Sequence, residues 1–396
     1  MRAVTWQGPR RVAVQDVPDP TIEQPDDAII RITSSGLCGS DLHLYEVLGP
    51  FIDEGDVLGH EPMGIVEEVG DGVTAVAPGD RVVIPFQVCC GACWMCDQGL
   101  HTQCERTQVR DQGMGAALFG YTKLYGQVPG AQAEYLRVPH ANFMPTRVPH
   151  EPPDERFVYL SDVLPTAWQA YRYADVPPGG TLVVIGLGPI GEMATRIARH
   201  HGTEVVGIDQ VAERNERVRS LGVTTIDLGA VEDVTEAVRS LTNGRGADAV
   251  IDAVGMEADP SPAGKLAQRV GALLPDAVAA PFMEHAGVDR LAGLYLAIDV
   301  VRRGGTVSLS GVYGGMADPL PMLTLFDKQV QLRMGQANVK RWMDELLPLV
   351  VDDDVLGLES FHSHRLPLEA APDAYEMFQR KDDGAFKVLF DPQRRS

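Results

Sequence analysis

Residues 181–202 read TLVVIGLGPIGEMATRIARHHG, and this stretch decides the fold. The apolar run TLVVI predicts a short buried strand. PIGEMATRIARHHG follows with apolar residues at helical spacing and Gly202 as its stop signal, which predicts a helix. Between them stands Gly186-Leu187-Gly188-Pro189-Ile190-Gly191, a G-x-G-x-x-G. Glycine-rich turns are common, but one that leaves a strand and opens a helix has a specific use. Gly186 permits the tight turn, Gly188 lets a pyrophosphate approach the backbone, and Gly191 lets the helix pack against the sheet. The first turn of that helix presents free N–H groups and the positive end of its dipole to the anion.

The chain continues in the same rhythm. EVVGID is a second strand, ERNERVRSLG a second helix, DAVID another strand and TVSLSG a later one. Strands alternating with helices predict a parallel, doubly wound α/β sheet of the Rossmann type over residues 165–337. Asp209 ends the second strand, eighteen positions after Gly191. A carboxylate there accepts from the adenosine ribose hydroxyls and repels a 2′-phosphate, so NAD is expected rather than NADP. A Rossmann unit for a flavin or for S-adenosyl methionine is the competing interpretation. The connection over about 256–303 is too long for one helix and a turn, so an inserted element is expected there.

On either side the pattern changes. Residues 1–164 carry short alternating segments, AIIRITSSG, GIVEEVG, DRVVIPF and AEYLRVP, broken by Gly and Pro, which predict a compact, mostly β domain. After residue 338 come the amphipathic RWMDELLPLVVDD and a strand-like FKVLFDP. This last stretch, 338–396, is expected to rejoin the first domain and make the Rossmann unit an insert. A length of 396 residues favours two domains. The net charge of −21 would repel nucleic acid and anionic membrane surfaces, so neither is expected as a partner. No apolar run reaches the roughly 18–20 residues of a membrane span. The N-terminus shows no secretory h-region, so a cytoplasmic location is expected.

Six cysteines are too few for a disulfide scaffold in a chain this long, and five of them lie within residues 89–105. Cys90, Cys93, Cys96 and Cys104 follow a C-x2-C-x2-C-x7-C pattern that lets one loop wrap a tetrahedral ion. Four thiolates leave no open position, so this zinc is structural. Cys89 in place of Cys90 is an alternative register.

Cys38-Gly39-Ser40-Asp41-x-His43, followed by Gly59-His60-Glu61, resembles the zinc signature of the medium-chain, zinc-dependent alcohol dehydrogenases. The cysteine lobe and the glycine motif fall in that family's order, so the resemblance runs over essentially the whole chain. The stretch Leu160–Thr166 resembles the third-ligand segment of the glutathione-independent formaldehyde dehydrogenase and dismutase subgroup, which also carries a long insert in its cofactor domain. The resemblance implies a GroES-like catalytic domain and a second, catalytic zinc on Cys38, His60 and Asp162, with Glu61 as an exchanging ligand. Alternatively Asp162 only caps a helix and Glu61 ligates. Further implied are a proton relay through Ser40 and His43, Asp41 as the partner of His60, and Phe86 and Thr166 beside nicotinamide and substrate. Plain packing is the alternative for these last two. Lys387 matches a basic residue that relatives place on the pyrophosphate, or is an ordinary surface lysine.

The expected activity is hydride transfer between a small alcohol or hydrated aldehyde and NAD, with two zinc ions per chain, in a homo-oligomer for which a tetramer is favoured over a dimer. Two other functions fit the same residues. One is a dismutase that keeps its NAD permanently bound. The other is a non-catalytic nucleotide sensor or structural paralogue, which the retained ligands and relay residues disfavour.

Overall fold

The computed structural model describes residues 1–255, 291–313 and 320–394. By internal packing the chain divides into two units, Met1–Pro165 with Ala337–Ser396, and Thr166–Gln336.

The second unit is built on a six-stranded parallel sheet. In spatial order its strands are Thr224–Asp227, Glu204–Asp209, Thr181–Ile185, Ala247–Asp252, Val301–Leu309 and Gln331–Met334. Numbered along this unit the order is 3-2-1-4-5-6, with a topological switch beside Thr181–Ile185, where such sheets bind dinucleotides. All five residues of Thr181–Ile185 are buried, as an interior parallel strand requires. Val183, Ile185, Val206, Ile208, Val250 and Val307 form the core with Leu294 and Ile298 of the helix Ala292–Val300. Helix Pro189–His200 is fastened to helix Ala212–Ser220 by Glu192, which is fully buried and takes Arg196 on one carboxylate oxygen and Arg217 on the other, at 2.7 and 2.6 Å.

An inserted element is expected over about 256–303. Its first portion, 256–290, lies outside the described residues. Its remainder holds the helix Ala292–Val300 and the start of strand Val301–Leu309.

The first unit contains a mixed sheet centred on strand Ala28–Leu37. On one side that strand pairs antiparallel with Glu61–Val69, which continues to Arg81–Val83 and Thr146–Arg147. On the other it pairs with Val388–Asp391, itself parallel to His364–Pro367, and Tyr135–Val138 also lies against it. The C-terminal segment therefore completes the sheet that the N-terminal segment begins. Ile30, Ile32, Val66, Val82 and Ile84 pack beneath it. Among the described residues, no helix is long and apolar enough to cross a membrane.

The glycine motif turns on two close approaches. Gly186 has φ +84°, a left-handed conformation that side chains resist. A Cβ at Gly191 would lie 1.8 Å from the Gly186 carbonyl oxygen. Gly191→Ala is accordingly expected to lower stability by about 1–3 kcal/mol, read by denaturant unfolding.

Candidate metal centres and nucleotide site

Strand register assembles the first centre. Gly36 lies opposite Glu61 in the antiparallel pair, so the residue that follows one strand, Cys38, and the residue that precedes the other, His60, come side by side. Asp162, at the end of the turn Val158–Ser161, completes the group. Its Oδ2 lies 3.6 Å from Cys38 Sγ and 3.6 Å from His60 Nε2. One ligand atom from each of Cys38, His60, Glu61 and Asp162 falls within 4.8 Å of all the others, a spacing that can surround a metal ion. Asp162 thus turns its carboxylate into the cluster at the head of helix Val163–Ala174, and Glu61 stands there with it.

The surroundings fix each ligand. Cys38 caps helix Gly39–Glu46, and its backbone N–H donates to Asp41 Oδ2 at 2.9 Å. The other oxygen of Asp41 lies 3.1 Å from His60 Nδ1, which leaves Nε2 facing the cluster. Gln132 holds Asp41 from behind at 3.3 Å and accepts from Tyr375 at 2.8 Å. Gly59, with φ +97°, lets the backbone turn so that His60 points inward, and a Cβ there would meet the Gln132 backbone nitrogen at 2.6 Å.

The electrostatics suit a cation. Burial pushes the Cys38 thiol up to about 11, and the Asp162 carboxylate adds to the effect. Burial likewise raises Glu61, opposed by Lys387. Burial alone would lower His60, but Asp41 and then Asp162 outweigh it and raise its pKa. Three acidic ligands and an imidazole held together in a dry site match the donor set of a zinc ion.

Lys387 is corrected on one count. It is not a surface lysine: it is 1% exposed, its Nζ lies 2.5–2.6 Å from the two oxygens of Glu61, and it donates to the Leu37 carbonyl at 3.0 Å. Ser40 and His43 share one face of helix Gly39–Glu46 at i, i+3 spacing, beside the ligand Cys38. Phe86 stands edge-on to His60 with ring centres 6.4 Å apart. Tyr121 does the same at 6.4 Å, and no local motif marks it in the sequence. Thr166 lies on helix Val163–Ala174, in the second unit.

The second centre is the lobe around the short helix Trp94–Asp97. The sulfurs of Cys90, Cys93, Cys96 and Cys104 lie within 4.8 Å of one another. Cys89 instead turns into the core, with its sulfur 3.5 Å from Met144 Sδ, so Cys90 belongs to the group of four. Backbone N–H groups point at the sulfurs: Ala92 at Cys90, Glu105 at Cys93 and Cys90 at Cys104, each 3.4 Å away. Burial raises Cys90 and Cys96. Burial also pushes Cys104 up, but hydrogen bonds from Thr107 and from the backbone of Cys90 and Arg106 overcome it and bring its pKa down to about 6. The donors favour thiolates, and only a cation lets four of them coexist.

In the second unit both oxygens of Asp209 are anchored, one by Leu187 N–H of the glycine turn at 2.6 Å and the other by Val211 N–H of its own loop at 2.8 Å. Arg214, which the motif did not indicate, lies 3.8 Å from Asp209, and a Cβ at Gly188 would be 3.4 Å from its guanidinium. Pro189 occupies the first turn of its helix and Ile190 follows it, half-buried.

Residues 24–149 match the alcohol dehydrogenase GroES-like domain, and residues 189–274 match the zinc-binding dehydrogenase domain. The zinc-type alcohol dehydrogenase-like protein AdhB of Bacillus subtilis is 40% identical over 99% of this chain and 100% of its own. The formaldehyde dismutase of Pseudomonas putida is 30% identical over 98% of this chain and 97% of its own. The alcohol dehydrogenase TADH of Thermus sp. ATN1 superposes with a TM-score of 0.83 at 37% identity, over 99% of both chains. With a GroES-like and a Rossmann unit, two metal-ligand clusters and relatives matched along their full length, this chain belongs to the zinc-type, medium-chain alcohol dehydrogenase family.

Proposed function

We propose that the protein transfers hydride between a small alcohol or hydrated aldehyde and NAD, with one catalytic and one structural zinc per chain. The observation that carries this is the gathering of Cys38, His60 and Asp162 around one point, with Ser40 and His43 on the adjoining helix. A zinc ion held by those three residues would act as a Lewis acid on the substrate oxygen and lower its pKa toward neutrality. Ser40 Oγ would accept the hydroxyl proton, and His43, one turn further along the same helix, would carry it onward. Asp41 holds the proton on His60 Nδ1, so that Nε2 keeps its lone pair for the ligand role. Phe86 and Tyr121 keep water away from His60 and narrow the space beside it.

NAD is favoured over NADP because the Asp209 carboxylate is fixed on two backbone N–H groups at the end of its strand, where it would oppose a 2′-phosphate. Arg214, beside Gly188, supplies a cation for the cofactor's phosphates. The structural zinc belongs to Cys90, Cys93, Cys96 and Cys104. Cysteines gathered as metal ligands accord with a reducing compartment such as the cytoplasm. A homo-oligomer, a tetramer ahead of a dimer, accords with the edge strand Gln331–Met334 and the nearby helix Met322–Lys328, on which Leu323 and Phe326 are 80% and 82% exposed. A second reading, dismutation by a permanently held NAD, draws on the 30% identity to a formaldehyde dismutase.

The first test is to denature the purified protein, filter it, and assay zinc per chain together with released NAD(H). Two zinc ions without NAD are expected for an exchanging dehydrogenase, stoichiometric NAD would favour the dismutase, and one zinc would overturn the catalytic site. Asp41→Asn is expected to cost about 10- to 100-fold in kcat/KM or in affinity for the catalytic metal, measured by steady-state kinetics and chelator competition. Cys96→Ser should release one zinc per chain and lower Tm, because metal binding at a closed site is folding energy.

A further inference from the structure

We infer that Lys387 is a positioning residue: it holds the Glu61 carboxylate off the metal carried by Cys38, His60 and Asp162, and so reserves the fourth coordination position for substrate. This rests on the catalytic zinc proposed above. One carboxylate oxygen of Glu61 falls within 4.8 Å of a ligand atom from each of the other three, near enough that a small movement would bring it onto a shared metal. A carboxylate so close to a divalent cation ligates it unless something else holds it, and four protein ligands would make a closed, structural site.

The site contains a built resting place for that carboxylate. Lys387 Nζ reaches both of its oxygens at 2.5–2.6 Å, and the two side chains are 1% and 0% exposed. In water such a pair would be worth little, but buried and bidentate it strongly constrains where the carboxylate lies. On the other side, Gly36 leaves room. A Cβ there would fall 1.9 Å from Glu61 Oε2, so the carboxylate occupies the space of a missing side chain.

The lysine is itself fixed. It precedes strand Val388–Asp391, whose Val388 pairs with Leu37, and its ammonium donates to the Leu37 carbonyl at 3.0 Å. One ammonium therefore touches the residue before Cys38 and the residue after His60. Movement of Glu61 toward the metal would require breaking this ion pair, which makes Lys387 the control on whether Glu61 ligates.

The test uses the full chain with cobalt in the catalytic site, titrated with imidazole as an added ligand and followed by the visible spectrum. Lys387→Met is expected to change the cobalt spectrum, as Glu61 becomes a ligand, and to weaken imidazole binding about tenfold or more. The double variant Lys387→Met with Glu61→Gln is expected to restore both, and Lys387→Arg to retain them. Gly36→Ala, which displaces the carboxylate from the opposite side, should reproduce the Lys387→Met spectrum. Should Lys387→Met not fold, Lys387→Gln, which keeps a donor for Leu37 without the charge, carries the same expectation. A wild-type spectrum and unchanged imidazole affinity in the charge-removing variants would overturn the inference while leaving the catalytic metal in place. Failure of the wild-type chain to bind a second metal would overturn the site itself.

Discussion

Three buried carboxylates, Asp41, Glu61 and Asp162, converge beside the half-buried thiol of Cys38, and much of the first unit is arranged around that charge. Negative charge cannot be buried without cations or protons to balance it, since removing one partner of a buried pair costs on the order of 3–5 kcal/mol. Lys387 supplies one balancing charge from the C-terminal segment, on Glu61. His60, between Asp41 and Asp162, supplies a second site of compensation, and a metal ion would satisfy the ligands that remain. The return of the chain to the first sheet is therefore more than a topological detail. Without strand Val388–Asp391 beside Leu37, Glu61 would be a buried carboxylate with no counter-charge.

The two metal centres solve the same problem in opposite ways. In the lobe, four thiols of one short loop lie together with backbone N–H groups aimed at three of them, and a zinc ion there would have its four positions filled with nothing left for a substrate. In the other centre the ligands come from two strand ends and a turn far along the chain, and the fourth candidate is held aside by an ion pair. The closed site draws its ligands from about fifteen consecutive residues and stabilises the fold. The open one joins residues more than a hundred positions apart, and so is only as good as the sheet register that aligns them.

Local patterns made much of this legible without coordinates. The strand-turn-helix around Gly186 and Gly191 depends on neighbours in sequence, as does the C-x2-C-x2-C-x7-C lobe, because spacing alone determines what a short loop can wrap. The ligands Cys38 and His60 were legible by resemblance, and antiparallel pairing explains why two motifs twenty residues apart act together. The choice between Cys89 and Cys90 was not legible, since adjacent cysteines differ only in which way each side chain points.

What the sequence determined by itself was therefore the succession of strands and helices, the glycine turn and the identity of the donors, all set by short-range periodicity and spacing. What only the tertiary structure decided was the company each donor keeps. Asp162 could have capped a helix, yet its carboxylate lies 3.6 Å from Cys38 and His60. Lys387 could have been a surface charge, yet it is buried against Glu61, more than three hundred residues away. Tyr121 and Gln132 gained their places beside His60 and Asp41 in the same way. No local pattern encodes these pairings, because they depend on long-range strand register and on the low dielectric that only a closed core creates.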